Sequence, residues 1–158
     1  EGIRVAALSS AIAKESRRVR TDEAMLAGLL HNIGKVYIIA RSPQASGSAS
    51  VGLDEAMLRQ WHPSIGQALI ENWKLPEEIA MAVSGQLELD RRHDGPPDLQ
   101  DLLIVAVHVA EQMASNSADD NALAKMLPAM ALGLNDSAFV RIVLESQTEL
   151  EMLQAALG

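Results

Sequence analysis

Apolar residues recur every three or four positions along most of the chain, the spacing that places them on one face of an α-helix. This pattern predicts a first helix over residues 3–17. It also predicts a second helix that ends at about residue 40. This helix begins at residue 21 or 22, and either residue can cap it. No segment shows the two-residue alternation of a strand. We therefore predict an all-α fold, a bundle of about eight helices with no sheet.

Prolines mark two further helix starts. A short helix is predicted over residues 54–60, and Pro63 suits the first position of a new helix over 64–73, which His62 helps to cap. Pro76 opens the next helix in the same way. The two glutamates that follow Pro76 suit the positive N-terminal end of a helix dipole.

The segment 99–114 is the most apolar part of the chain, and its apolar side chains lie nearly all round a helix. Such a helix is expected at the centre of the bundle. Two stretches rich in turn residues, 41–52 and 89–98, are predicted loops. Residues 116–121 are predicted to open a short helix that continues through Leu127.

The last predicted helix follows the capping sequence LNDSAF. Its apolar residues have the alternating four- and three-residue spacing of a heptad, interrupted only by Ser146: Phe139, Val143, Leu150, Leu153 and Leu157. This stripe would be exposed unless it packed against another helix. We predict that it packs either on its own core or on a second subunit in a homo-oligomer.

Composition narrows the class of protein. With 158 residues, 48% of them hydrophobic, the chain is long enough for one domain with a core. The net charge of −8 disfavours nucleic acid as a partner. No apolar run approaches the roughly 20 residues that span a bilayer, so no membrane association is predicted and a cytoplasmic protein is expected. The absence of cysteine excludes thiolate metal sites and cysteine nucleophiles. We expect a single domain over residues 1–158, with its last helices from about residue 119. Because the chain begins without Met and is already helical in pattern, we expect it to be a piece of a longer protein.

The stretch GLLHNIGK, residues 28–35, contains the first candidate site residue, His31. At helical spacing it lies on or beside a stripe of small residues that let another helix approach closely: Ala24, Ala27, Gly28 and Gly34. His31 is therefore expected in a helix–helix contact. It is either a buried histidine satisfied by a neighbour, a metal ligand, or a residue of a ligand pocket.

The next residue weakens the metal alternative. Asn32 offers only a neutral carbonyl oxygen, whereas a divalent cation in a hydrolytic site needs several carboxylates to offset its charge. We predict that the Asn32 amide holds two helix ends together by hydrogen bonds.

Three further residues complete the candidate pocket. Lys35 is either a solvated side chain near a helix end or an anion contact. His108 and Glu111 are three positions apart on one helix, so a hydrogen-bonded pair is predicted and a ligand pair is the alternative. His93, in the loop 89–98, is expected to be solvated. No Gly-rich phosphate loop, nucleophile elbow or HExxH motif is present.

The chain resembles the HDOD family, the HD-related output domains of bacterial signalling proteins, in three segments: EAMLAGLLHNIGKVYII, HPSIGQALIENWKLPEEIAMAV and LLIVAVHVAEQMA. The resemblance covers roughly residues 1–115 and implies an HD-domain-like bundle. The second segment carries a structural motif formed by His62, Gly66, Trp73 and Pro76. Within it, Trp73 is expected to pin two helices together as a structural anchor rather than contact a ligand.

The resemblance also implies where a metal site of the HD superfamily would lie. Position by position, its first histidine falls at about Glu1, its His-Asp pair on His31 and Asn32, its later histidines near Gln86 and Leu87, and its distal aspartate on Glu111. Only His31 matches, so the resemblance implies a degenerate site without metal, cofactor or catalytic residues.

Three functions remain open at this point. The first is a non-catalytic signalling or scaffold domain, with other signalling proteins or attached domains of receiver, GGDEF, EAL or kinase type as partners. The second is a residual metal-dependent phosphohydrolase acting on a cyclic nucleotide or dinucleotide. The third is a sensor that binds a small ligand in the former metal pocket, near His31, Lys35 and Glu111.

Overall fold

The computed structural model describes residues 1–42, 54–116 and 123–158. Those residues form helices and no strand, which confirms the all-α prediction. Their eight helices are α1 (Gly2–Ser16), α2 (Thr21–Leu30), α3 (Ile33–Ala40), α4 (Glu55–Asn72), α5 (Glu77–Ser84), α6 (Leu99–Ser115), α7 (Leu127–Ala131) and α8 (Asp136–Leu157). Most of the predicted loop 41–52 and of the segment 116–121 lies outside the described residues.

The most apolar helix is central, as its composition predicts. Helix α6 packs against α1, α2, α5 and α7, and nearly every residue from Leu99 to Ala110 is buried. Asp98 caps α6 in a reciprocal capping box with Asp101, so the helix begins at the end of the turn-rich loop. This central helix supports the others around it.

The single helix predicted over 21–40 is wrong, because the chain breaks at His31 and Asn32. The backbone of Asn32 leaves helical geometry, with φ −109° and ψ 17°. Helix α3 then begins at Ile33 and packs on α4. Helix α2, by contrast, packs on α1, α5 and α6. The apolar spacing does not reveal this change of neighbours, because it continues without a gap through the break.

The two helices predicted over 54–73 are also wrong, since α4 continues through Pro63. Asp54 starts the helix by accepting a hydrogen bond from the Ala56 N–H at 3.0 Å. Its buried face has an uninterrupted four-residue spacing: Leu58, His62, Gly66 and Ile70. Pro63 removes one backbone hydrogen bond, but its ring is buried and contributes to packing. His62 therefore lies in the middle of a helix and does not cap one.

Two glycines of the GLLHNIGK stretch allow backbones to come close together. A Cβ at Gly28 would lie 2.6 Å from the Ala6 Cα, and one at Gly34 would lie 2.0 Å from the His62 carbonyl oxygen. The second contact fixes α3 against α4. It brings the residues that follow the His31 break beside the middle of α4.

Helix α8 packs on α1 through the first part of its predicted heptad stripe. Phe139 and Ser146 are buried, whereas Leu157 near the end is 67% exposed. Ion pairs join the same two helices: Lys14 with Glu145 at 3.2 Å and with Glu149, and Glu15 with Arg141. The stripe thus engages its own core over the first half of α8, and an additional contact with a second subunit stays a prediction.

The exposure of Trp73 argues against its expected role as an anchor between two helices. The residue follows the end of α4 and is 47% exposed. Pro76 is the N-cap of α5, as the proline pattern predicts, and the first turn of α5 carries both glutamates. Within the described ranges, no helix is long and apolar enough to span a bilayer.

Candidate functional site

A cavity of about 780 Å³ lies where the α2–α3 junction approaches α1, α4 and α6. Four of the five predicted pocket residues line it: His31, Asn32, Lys35 and Glu111. The residues that the resemblance placed at the metal site, Glu1, Gln86 and Leu87, also line it. The structure adds others that include Arg4, Glu55, Arg59 and His62. The GLLHNIGK stretch and the distal α6 position are therefore brought to one site.

His31 forms part of the cavity wall and is only 2% exposed. Its Nδ1 lies 2.7 Å from the Gly28 carbonyl oxygen, which can only accept, so Nδ1 carries the proton. Burial lowers the pKa of His31 below its usual value, although the bond to Gly28 opposes this shift. The ring is therefore neutral near pH 7, and Nε2 is left as an acceptor.

Asn32 lies at the junction of α2 and α3, as predicted, but it does not join the helix ends through its side chain. Among the described residues its amide makes no capping hydrogen bond, and only its backbone carbonyl accepts from the Val36 N–H, at 3.1 Å. The predicted amide contact is therefore wrong. The half-buried amide instead faces the cavity as a neutral polar group.

Gln86 makes the contact that was expected of Asn32. Its Nε2 donates to the His31 carbonyl at 2.7 Å and to the Val83 carbonyl at 2.8 Å, and the residue is 1% exposed. This amide ties the end of α2 to the end of α5. Its Oε1 is buried and has no hydrogen-bond partner in the described part of the chain.

His62 is the second histidine of the cavity wall, and the sequence did not identify it as a pocket residue. Burial lowers its pKa to about 4, and the positive charges of Lys35 and Arg59 and the ring of His31 act in the same direction. The ring is neutral at pH 7. Its Nδ1 is buried without a partner among the residues that the structure describes.

Two ion pairs lie on the cavity. Lys35 pairs with Glu55 at 2.9 Å, and the bond lowers the pKa of the Glu55 carboxyl. Arg59 pairs with Glu111 at 2.7 Å, which raises the pKa of Arg59 and joins α4 to α6. The Lys35 side chain is thus neither fully solvated nor free. Glu111 is held by a guanidinium.

His108 is not in this group. It does not line the cavity, and its Nε2 lies 3.0 Å from the Gln112 side-chain nitrogen one helical turn away. The predicted pair of His108 with Glu111 is therefore wrong, because Glu111 turns towards Arg59 on the neighbouring helix.

The donor atoms around His31 do not fit the metal site that the HD superfamily would imply. Asn32 is neutral, Leu87 has no donor, Gln86 donates to backbone carbonyls, and Glu111 is bound by Arg59. Across the described ranges, three His, Asp or Glu donors lie within 4.8 Å of one another at one place only, which is elsewhere: His93, Asp98 and Asp101.

That second cluster is satisfied internally. His93 is exposed, as predicted, but its Nε2 also lies 2.7 Å from buried Asp101. Arg91 bonds to Asp98 at 2.5 Å and to Asp101 at 2.9 Å. The bond to Asp101 raises the pKa of His93. The Asp98 and Asp101 carboxylates thus bind Arg91 and His93, and these contacts attach the loop to the start of α6.

The described residues thus form an all-α bundle with a histidine at a helix break beside a polar cavity. Residues 1–88, more than half of the chain, match the model of the HDOD domain. The chain belongs to the HDOD family. Neither the curated proteins nor the solved structures contain a match.

Proposed function

We propose that this chain is a non-catalytic signal-transduction domain that acts through protein contacts or by relaying a conformational change to other domains. Its partners would be other signalling proteins or attached domains. Membership of the HDOD family, the HD-related output domains, supports this class of function.

The non-catalytic part of the proposal rests on one observation. Side chains of the cavity that could bind a metal are already bonded to other groups of the protein. A metal-dependent hydrolase needs several anionic or imidazole ligands and an open coordination position. Here His31 and His62 offer imidazole nitrogens, while the side chains of Gln86 and Glu111 serve contacts between helices. Architecture that once could hold a metal would thus be kept to couple α2, α4, α5 and α6.

The experiment is a turnover assay of the purified chain with bis(p-nitrophenyl) phosphate and with a cyclic dinucleotide, each in Mn²⁺, Mg²⁺ or Fe²⁺. We expect no product above the protein-free blank under any of these conditions. Metal-dependent turnover that disappears in His31→Gln but persists in His108→Gln would contradict the proposal, because it would place catalysis at the cavity.

A small-ligand sensor is the second candidate, and the cavity itself favours it. Its volume falls within the range of small-molecule sites, about 300–1,000 Å³, and its lining combines neutral imidazoles with charged groups. A sensor of this kind is compatible with the signalling role and would supply its input.

A further inference from the structure

Three cationic side chains from three different helices reach the same cavity: Arg4 on α1, Lys35 on α3 and Arg59 on α4. Such convergence stands out in a chain with only 13 basic residues and a net charge of −8. We propose that the cavity is a metal-independent binding site for a small organic anion, whose phosphate or carboxylate group is held by these three side chains.

Two of the three cationic side chains form ion pairs with carboxylates of the same chain. Glu55, the partner of Lys35, has a side chain that is 77% exposed, and Glu111 is 37% exposed. Exposed ion pairs contribute little to stability, so an incoming anion can displace these carboxylates into water at small cost. Among the described residues, Arg4 has no hydrogen bond or ion pair and is available without displacement.

Of the neutral groups in the wall, the Asn32 amide suits an anion, while the two histidines add no charge. His31 and His62 are uncharged near pH 7, so neither places a further cation or anion in the cavity. The Asn32 amide can donate to an anion where an aspartate would repel it. The carboxylates that could attract a cation are already paired, apart from Glu1.

Two residues that line the cavity each carry a buried polar atom without a hydrogen-bond partner in the described part of the chain. The two atoms are His62 Nδ1 and Gln86 Oε1. Buried polar groups in proteins are normally paired with protein or water. Because Gln86 Oε1 can only accept, its partner would have to be a hydroxyl or other donor of the ligand, or water held beneath the anion.

Anion binding would also act on the fold. A ligand that takes Arg59 from Glu111 releases the ion pair that joins α4 to α6. The inference rests on the proposed function in one respect, since this release matters only if the domain relays conformational change. Binding itself can be measured independently of any output.

The experiment titrates the metal-free chain, in EDTA and at constant ionic strength, with inorganic phosphate, citrate and, as a cationic comparison, choline. NMR follows the ring protons of the chain's four histidines. We expect saturable shifts at His31 and His62 with phosphate or citrate, none at His93, and none with choline. The anion that saturates at lower concentration identifies the head group.

Variants locate the site. Arg4→Gln breaks no ion pair in the described residues and, like Arg59→Gln, should weaken binding at least about tenfold, the loss expected for one charge-assisted contact. Asn32→Asp should weaken binding similarly by repulsion. The matched control is Arg141→Gln, which removes an arginine from an ion pair on α8 and should leave affinity within about twofold.

Three results would overturn the inference: no saturable shift at His31 and His62, equal binding by Arg4→Gln and wild type, or binding only when a divalent metal is added. Thermal melts of each variant exclude unfolding as the cause of a loss. Binding accompanied by hydrolysis of an organic phosphate would contradict the proposed non-catalytic role and leave the site intact. Absence of binding would leave that role standing.

Discussion

Replacing Gly34 by alanine tests the contact that positions α3 and the cavity. The added Cβ would lie 2.0 Å from the His62 carbonyl oxygen and 2.7 Å from the Gly66 nitrogen, and both atoms belong to the backbone of α4. Backbone cannot move aside as a flexible side chain does, so α3 must shift away. Overpacking of this kind costs about 1–3 kcal/mol and sometimes more, whereas the better helix propensity of alanine returns at most about 1 kcal/mol. Because the added Cβ meets two backbone atoms, the cost should lie at or above the upper end of that range. Less about 1 kcal/mol of helix propensity, this leaves a net loss of about 2 kcal/mol or more in the free energy of unfolding.

The assay is urea denaturation followed by circular dichroism, with two comparison variants. Gly2→Ala is the matched control, since its Cβ would lie 3.4 Å from the Leu29 carbonyl oxygen, an ordinary contact, and its stability should stay within about 0.5 kcal/mol of wild type. Gly66→Ala should fall between the two, because its nearest neighbour is a Val83 methyl group at 2.9 Å. If Gly34→Ala is as stable as Gly2→Ala, the close crossing of α3 and α4 is incorrect.

Three further variants or conditions test the site and its surroundings. Asn32→Asp should lower stability by about 1–3 kcal/mol, because a partly buried carboxylate gains no metal or cation to balance it; melting curves with and without Mn²⁺ would contradict this if the metal raised the melting temperature. Trp73→Ala should cost only about 1 kcal/mol, since the side chain is half exposed, and a loss above about 3 kcal/mol in urea would mean that it is an anchor after all. Acid should destabilise the fold through His62, whose pKa of about 4 lies below its unfolded value of about 6.5. Stability is then fully present above about pH 6.5 and falls as the pH approaches 4; with solvent screening we expect a loss of about 1–2 kcal/mol between pH 7 and 5, absent from His62→Gln.

The sequence predicts the helical class and the central helix because both depend on the average placement of many apolar residues. The approximate bounds of α1, α6 and α8 follow from that periodicity and from the caps at Asp98 and Asn135. The break at His31–Asn32 does not follow, because no proline or Gly-rich turn marks it. Continuity through Pro63 could have been inferred from the four-residue spacing of buried positions on either side of it.

The sequence predicts which motif residues meet at the candidate site, but not the residues on other helices that bind them. His31, Lys35 and Glu111 could be placed together from their motif positions, but their partners lie on other helices. That Arg59 would bind Glu111, and that Gln86 would bond to the His31 carbonyl, depends on tertiary packing that no local pattern encodes. The bond between His93 and Asp101 was not predicted for the same reason, since Asp101 belongs to the next helix.

The most direct test of the central claim, that the cavity beside His31 no longer forms a metal centre, is the metal content of the untagged chain. The chain is loaded in turn with Mn²⁺, Fe²⁺ and Zn²⁺, desalted, and measured by elemental analysis. We expect far less than one equivalent of each metal, with no difference between wild type and His31→Gln. Retention of one or two equivalents that disappears in His31→Gln but persists in His93→Gln would contradict the claim, because it would place a working metal centre in the cavity.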